Sequence, residues 1–178
     1  MLETELKILE INKEEITKKL LSLGATPTSR ELYIEEAFDY KNKRIKKSNQ
    51  LCRLRQQGKI IKLTHKGPKQ KSKKFSITKE TEIEVSDYSK TKKILENLGL
   101  SSYRYREKYR TKFKYNNLII ELDEHPKIPP YIEIEGSKEN ILNTIEKLGY
   151  TISDTTTITA SEVLKKYGQN PHYQKFEK

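Results

Sequence analysis

The chain of 178 residues has few of the residues and segments that mark several large classes of protein. Cysteine occurs once, as Cys52, which excludes an intramolecular disulfide and a cysteine-based zinc site. No basic segment followed by an apolar core opens the sequence, and no apolar run approaches the length of a membrane span. We therefore expect a soluble cytoplasmic protein.

The sequence is rich in charged residues. Its 36 Lys and Arg residues against 25 Asp and Glu residues give a net charge of +11. Such an excess favours a polyanionic partner, of which nucleic acid is the simplest. Helix-turn-helix, zinc-finger and RNP-type motifs are absent, however, so the basic composition alone does not identify the partner.

Charged residues recur two positions apart in several short segments, and the residues between them are mostly apolar. Side chains alternate faces along a strand, so each charged set lies on one face and the aliphatic residues lie on the other. The acidic pairs are Glu3 and Glu5, Glu82 and Glu84, Glu121 and Asp123, and Glu133 and Glu135; the basic sets are Arg53 and Arg55, Lys108 and Arg110, and Lys62 and Lys66.

Helical periodicity follows three of the acidic strands and ends each time at a Leu-Gly pair. The spacing predicts helices over residues 12–23, 88–98 and 137–148, with N-caps at Asn12, Asp87 or Ser89, and Ser137. Hairpin signals at Gln57-Gly58 and at Asn116-Asn117 connect further strands. About eight strands with helices outside predict an antiparallel sheet that curls towards closure. A last helix is expected at 160–167, and the composition of residues 168–178 predicts a disordered tail.

The charged face could be the water-exposed side of a one-sided sheet. Exposed faces usually mix charges, because neighbouring like charges repel. Here the carboxylates cluster with carboxylates and the cations with cations, which a site explains better. Oxygen-only ligands suit Mg²⁺ or Mn²⁺, and Arg and Lys suit phosphate oxygens. The pattern therefore predicts a metal-dependent site for a multiply charged phosphate.

The first acidic strand, Glu3-x-Glu5-x-Lys7, resembles the ExExK signature of the CYTH domain, within the triphosphate tunnel metalloenzymes. The resemblance continues through Arg53-Leu54-Arg55, residues 63–68, Lys108-Tyr109-Arg110 and residues 131–136. It implies an α+β fold built on a closed eight-stranded antiparallel β-barrel, or tunnel, with helices packed on the outside. The domain would cover residues 1–167.

The resemblance also assigns roles to the charged residues. Two Mg²⁺ or Mn²⁺ ions would be held, with the substrate bound, by Glu3, Glu5, Asp123, Glu133 and Glu135. The triphosphate would be held by Lys7, Arg53, Arg55, Lys66, Lys108 and Arg110. Glu82 and Glu121 are expected to support catalysis or a second metal. The tyrosine that the family often has near the C-terminus is missing from Ala160-Ser161-Glu162.

Family members divide between two reactions on one bound geometry. A triphosphatase directs water at the terminal phosphorus, whereas a class IV adenylate cyclase directs the ribose 3′-hydroxyl of ATP at the α-phosphorus and releases pyrophosphate. A third reading is a module that binds polyphosphate, a nucleotide or an RNA 5′-triphosphate without turnover. We expect a triphosphate such as tripolyphosphate or ATP as partner, with no membrane, no requirement for nucleic acid, and a homodimer as one mode of assembly.

Overall fold

The fold consists of strands of alternating polarity and helices with one apolar stripe. The structure is a computed structural model that describes residues 2–68, 70–71 and 76–177, without the side chains of residues 2, 3, 70, 71, 76 and 77. The strands are β1 (Leu2–Ile8), β2 (Thr26–Tyr40), β3 (Leu51–Gln57), β4 (Ile60–Lys66), β5 (Gln70–Lys71), β6 (Ser76–Glu84), β7 (Leu100–Tyr115), β8 (Leu118–Glu124), β9 (Tyr131–Glu135), β10 (Thr155–Thr156) and β11 (Tyr173–Gln174). The helices are α1 (Lys13–Ser22), α2 (Arg44–Lys47), α3 (Tyr88–Asn97), α4 (Lys138–Lys147) and α5 (Ala160–Lys166). None of the helices in these ranges is long and apolar enough to cross a membrane.

The three predicted long helices begin at the predicted caps. The side chain of Asn12 accepts hydrogen bonds from two backbone N–H groups at the start of α1, both at 3.0 Å. Asp87 accepts from the Lys90 N–H at 2.8 Å, and Ser137 accepts from the Asn140 N–H at 3.2 Å. Each cap satisfies backbone donors that the first helical turn leaves without a partner. The helix starts are therefore confirmed.

Ten of the strands follow the order β10-β1-β9-β8-β7-β2-β3-β4-β6-β5, and neighbours in this order are antiparallel. Strand β1 uses both of its edges: residues 5–8 pair with residues 132–135 of β9, and residues 2–5 pair with residues 76–79 of β6. The predicted α+β class with a large antiparallel sheet is confirmed. Closure of eight strands into a barrel stays a prediction.

The helices cover the aliphatic face of the sheet in two places. Helices α1 and α4 bury a cluster that includes Leu6, Leu20, Ile120 and Ile134, all 0% exposed. Helix α3 covers a smaller cluster built on Phe38, Leu54, Leu95 and Leu100. Burial of these side chains drives the helices onto this face. The charged face of the same strands is left pointing the other way.

Helix α2 is an element that the sequence analysis did not predict. Asp39, at the end of β2, accepts hydrogen bonds from the Ile45 N–H at 3.0 Å and the Lys46 N–H at 2.8 Å. A four-residue helix has no periodicity to detect, and its anchoring carboxylate lies six and seven residues earlier in the chain. Its position is therefore set by a contact that the local pattern does not show.

Residues 168–177, called the strap below, pack against strand β7, whereas the sequence analysis predicted a disordered tail. Strand β8 pairs with residues 109–115 of β7, and the strap pairs in parallel with residues 105–106 of the same strand. The Phe176 N–H donates to Glu107 at 3.0 Å, and the Phe176 ring lies 5.1 Å from the ring of Tyr109. Strand β7 is longer than its partner β8, and the strap occupies part of the remainder.

Candidate functional site

The charged face of the sheet is assembled by cross-strand register. Opposed residues share a face, and the register places Lys7 opposite Glu133, Arg110 opposite Asp123, and Lys112 opposite Glu121. Glu5 stands opposite Glu135 on the same face. The residues predicted from β1, β7, β8 and β9 therefore come together, with the exception of Glu3, whose side chain lies outside the described residues.

Glu5 and Glu133 form an acidic pair with one shared cation. The Lys7 ammonium group lies 2.6 Å from Glu133 and 3.7 Å from Glu5. Burial and the charge of Glu133 raise the pKa of Glu5 to about 7. Burial opposes ionisation of Glu133 as well, but Lys7 holds the pKa of Glu133 well below its usual value. Arg110 Nη2 also lies 3.2 Å from Glu133, so the cations favour Glu133, and the pKa of Glu5 stays raised.

Asp123 is fully buried and saturated by cations. It accepts from Arg110 Nε at 2.5 Å and Nη2 at 2.6 Å, and from Lys108 Nζ at 2.8 Å. Despite burial, these two cations hold the pKa of Asp123 well below its usual range. A bidentate pair of this kind fixes the plane of the guanidinium group. In this arrangement Asp123 positions Arg110 and Lys108.

Cations crowd together on β3 and β7. The Cζ atoms of Arg55 and Arg110 lie 5.3 Å and 5.5 Å from the centre of the Tyr33 ring. Burial and the neighbouring charges of Arg53 and Arg110 lower the pKa of Arg55 to about 10. A guanidinium group is destabilised in this way where nearby carboxylates are too few to compensate.

Glu35 on β2 was missed by the sequence analysis. It lies 3.4 Å from Arg104 and 3.6 Å from Arg53. Burial opposes its ionisation, yet Arg104 and Arg53 hold the pKa of Glu35 well below its usual value. Three acidic residues within 31–36 occupy both faces of β2, so the alternation that marked the other strands is obscured there. Arg104 and Arg106 were also missed, although they continue the alternation of Lys108 and Arg110 along β7.

The two supporting carboxylates contact cations in the structure. Glu82 accepts from Lys62 Nζ and Thr64 Oγ1, both at 2.7 Å, and burial notwithstanding its pKa is lowered to about 2. Glu121 pairs with Arg110, and with Lys112 at 3.1 Å. Lys66 likewise pairs with Glu80. These contacts orient basic side chains across the charged face.

Two guanidinium N–H donors on this face have no hydrogen-bond acceptor in the part of the chain that the structure describes. Among the described residues, the Nε atoms of Arg53 and Arg104 are buried and have no hydrogen-bond acceptor. A buried donor without an acceptor is costly, and a charged donor more so. Both atoms belong to guanidinium groups that flank Glu35.

The sequence profile of the CYTH domain matches residues 1–161. The chain belongs to the CYTH family. Glu5, one of the two carboxylates of the acidic pair on β1 and β9, belongs to the ExExK segment at which the resemblance to this family began.

Relatives of this CYTH chain carry related names. A "putative adenylate cyclase" from Methanocaldococcus jannaschii is 24% identical over 142 residues, which are 79% of this chain and 80% of that protein. The crystal structure of a protein from Vibrio parahaemolyticus with the same name has a TM-score of 0.82 at 15% identity, covering 93% and 98% of the two chains. An adenylyl cyclase homologue from Hippeastrum, described as having a dominant triphosphatase activity, has a TM-score of 0.69 at 16% identity, covering 95% and 96%.

The carboxylates of the CYTH chain fit a hard divalent cation in their chemistry. Glu5 and Glu133 supply oxygen donors only, and their mutual repulsion is what such a cation relieves. Within residues 2–68, 70–71 and 76–177, no three metal-ligating side chains are already grouped to hold an ion. Mg²⁺ commonly uses one or two carboxylates together with substrate phosphates, so a pair is a sufficient protein contribution.

Proposed function

We propose that this protein processes a triphosphate in a reaction that depends on a divalent metal, and that the reaction is hydrolysis of tripolyphosphate or an organic triphosphate. The observation that carries the proposal is the crowding of both charges on one face. The pKa of Glu5 is raised by burial and Glu133, while the pKa of Arg55 is lowered by burial, Arg53 and Arg110. A bound divalent metal stabilises the ionised form of Glu5, and a bound polyphosphate stabilises the charged form of Arg55.

The phosphate oxygens bind the cations of β3 and β7. Arg53 and Arg55 face the same side as Lys108 and Arg110, and the free Nε donors of Arg53 and Arg104 are supplied with acceptors by a phosphate. Lys7 and Lys66 add to the cationic surface near Glu5, whose pKa both of their charges lower. Arg110 is held in one orientation by Asp123, so it meets the phosphate without reorganising.

Mg²⁺ or Mn²⁺ binds at Glu5 and Glu133, with Glu3 and Glu135 on the same pair of strands, and two ions are bound when the substrate is present. When bound, the metal supplies charge neutralisation and a Lewis acid at the phosphate oxygens. Asp123 contributes by holding Arg110 and Lys108 beside the ligands. Glu82 and Glu121 orient Lys62 and Lys112.

The sheet encloses this face as a tunnel of eight antiparallel strands. The pairing of β1 with both β9 and β6 supports this arrangement. Enclosure lowers the local dielectric and strengthens every charge interaction with the substrate. It also explains why Arg110, Lys108 and Asp123 are buried although α1, α3 and α4 lie on the opposite face.

In the hydrolytic reaction the oxygen of water forms a bond to the terminal phosphorus as the bond to the bridging oxygen breaks. Tripolyphosphate then yields diphosphate and phosphate, and the leaving oxygen carries the negative charge that the cations stabilise. The Hippeastrum neighbour, with its dominant triphosphatase activity, supports this reaction. Adenylate cyclisation is the second candidate, because the relatives from Methanocaldococcus and Vibrio are named for it.

Product analysis tests the proposal. The purified protein is mixed with tripolyphosphate or ATP and with Mg²⁺ or Mn²⁺, and products are separated by anion exchange. We expect phosphate release that EDTA abolishes. Cyclic AMP with pyrophosphate would identify a cyclase instead, and tight binding without products would identify a binding module and overturn the proposal.

A further inference from the structure

A cavity of about 220 Å³ lies beside the charged face and has no part in the proposed chemistry. It is lined by Asp39, Lys43, Lys46, Tyr103 and His172. These residues come from the end of β2, the segment of α2, the start of β7 and the strap. The cavity is thus built from elements that are far apart in sequence.

Tyr103 lies at a β-bulge between strands β2 and β7. The register between β2 and β7 shifts between Ala37 and Phe38, so Arg104 and Ser102 have partners on β2 and Tyr103 has none. A bulge of this kind redirects a side chain from the alternating pattern. The Tyr103 ring meets the His172 ring edge to face, with centroids 6.2 Å apart and planes at 64°. Lys46 Nζ lies 5.6 Å from the centre of the Tyr103 ring.

The frame of the cavity is held by specific hydrogen bonds. Asp39 accepts from the Ile45 and Lys46 N–H groups and so fixes the helix that carries Lys46. On the other side, the Tyr105 N–H donates to the carbonyl of His172 at 2.9 Å. This hydrogen bond between β7 and the strap therefore fixes the backbone at His172.

The cavity adjoins the cationic part of the charged face. Arg106 Nε donates to the carbonyl of Pro171 at 2.9 Å, one residue before His172. Arg104 follows Tyr103 directly and reaches one oxygen of Glu35 at 3.4 Å, and Arg53 lies 3.6 Å from the other oxygen. Cationic side chains thus continue from the proposed phosphate site to the rim of the cavity.

We propose that this cavity binds the flat heteroaromatic group of an organic triphosphate, a nucleobase in the simplest case. The inference rests on the proposed function, since the phosphates would lie against Arg53, Arg55 and Arg104. The volume is below that of pockets that enclose whole drug-sized ligands, and it suits one ring system rather than a whole nucleotide. Tyr103 and His172 offer stacking surfaces, and Lys43 and Lys46 offer donors to ring nitrogens and carbonyl oxygens.

The discriminating measurement compares a substrate that has a base with one that lacks it. We expect Tyr103→Ala to raise the KM for ATP about tenfold or more and to leave kcat/KM for tripolyphosphate within twofold of the parent. Lys46→Ala should have the same selective effect in smaller degree. Lys47→Ala, on the next residue of the same helix and outside the cavity lining, is the matched control and should change neither substrate.

Three outcomes overturn the proposal: an equal loss with both substrates, no loss with either, or a parent protein that turns over tripolyphosphate and does not bind ATP. A parent that turns over neither substrate would instead count against the proposed function. The cavity is then tested alone by saturation-transfer NMR with ATP in EDTA. Signals on the base protons that disappear in Tyr103→Ala and survive in Lys47→Ala support the cavity, and base protons without signals reject it.

Discussion

Lys7 donates a hydrogen bond of 2.6 Å to Glu133, directly across from it on the neighbouring strand. The same ammonium group lies 3.7 Å from Glu5. One cation is thus shared between two carboxylates, and the remaining repulsion, together with burial, appears in the raised pKa of Glu5. Arg110 contacts Glu133 as well, at 3.2 Å, yet the pKa of Glu5 stays raised, which favours binding of a further positive charge such as the proposed metal.

Replacement of Glu133 by Gln removes one carboxylate and keeps the size of the side chain. We expect metal-dependent turnover of tripolyphosphate to fall about 100-fold or more, because a proposed metal ligand is lost. The fold should persist, as judged by circular dichroism. Glu146→Gln, on the exposed face of α4, is the matched control and should keep full activity. Unchanged activity of Glu133→Gln would contradict the ligand assignment.

Replacement of Arg55 by Ala separates binding from stability. The dissociation constant for tripolyphosphate, measured by calorimetry in EDTA, should rise about tenfold with the loss of a charge-assisted hydrogen bond. Because burial, Arg53 and Arg110 all disfavour the Arg55 cation, the thermal midpoint should hold or increase. Arg30→Ala removes an exposed arginine and serves as the control. Parent-like affinity in Arg55→Ala would show that this side chain does not meet the phosphates.

The contacts of Glu35 predict how the stability of the fold changes at acid pH. Arg104 and Arg53 outweigh burial and hold its pKa below the value of about 4.3 expected in the unfolded chain. Its contribution to stability is therefore complete above about pH 4.3 and is lost as the pH falls towards the folded-state pKa. The difference in the free energy of unfolding between the parent and Glu35→Gln, from urea titrations, should be largest at pH 7 and shrink below about pH 4. A difference that stays constant down to pH 3 would refute this role.

Helix α1 offers two adjacent leucines with opposite environments. Leu20 is 0% exposed against the sheet, and Leu21 is 48% exposed. Leu20→Ala should lower the free energy of unfolding by about 2–5 kcal/mol, since it removes buried methyl groups and leaves a cavity. Leu21→Ala should change it by less than about 0.5 kcal/mol. Equal effects in urea unfolding would mean that α1 is not packed as described.

Much of the site was predictable because strand alternation is a local property. The two-residue spacing of Glu133 and Glu135 assigns both to one face whatever the rest of the chain does. Helix starts at Asn12, Asp87 and Ser137 were predictable for the same reason, since a cap contacts only the next few residues. The particular partners of each charge were not predictable, because Lys7 and Glu133 are 126 residues apart.

The sequence by itself determined which residues are charged in alternation, where the long helices begin and which face of each strand is apolar. These features depend on backbone periods of 2 and 3.6 residues. Only the tertiary structure decided that Glu35 faces Arg53 and Arg104, that residues 168–177 lie along β7, and that Tyr103 meets His172. Those contacts arise from register, a bulge and an uncovered strand edge, and each depends on where distant strands meet.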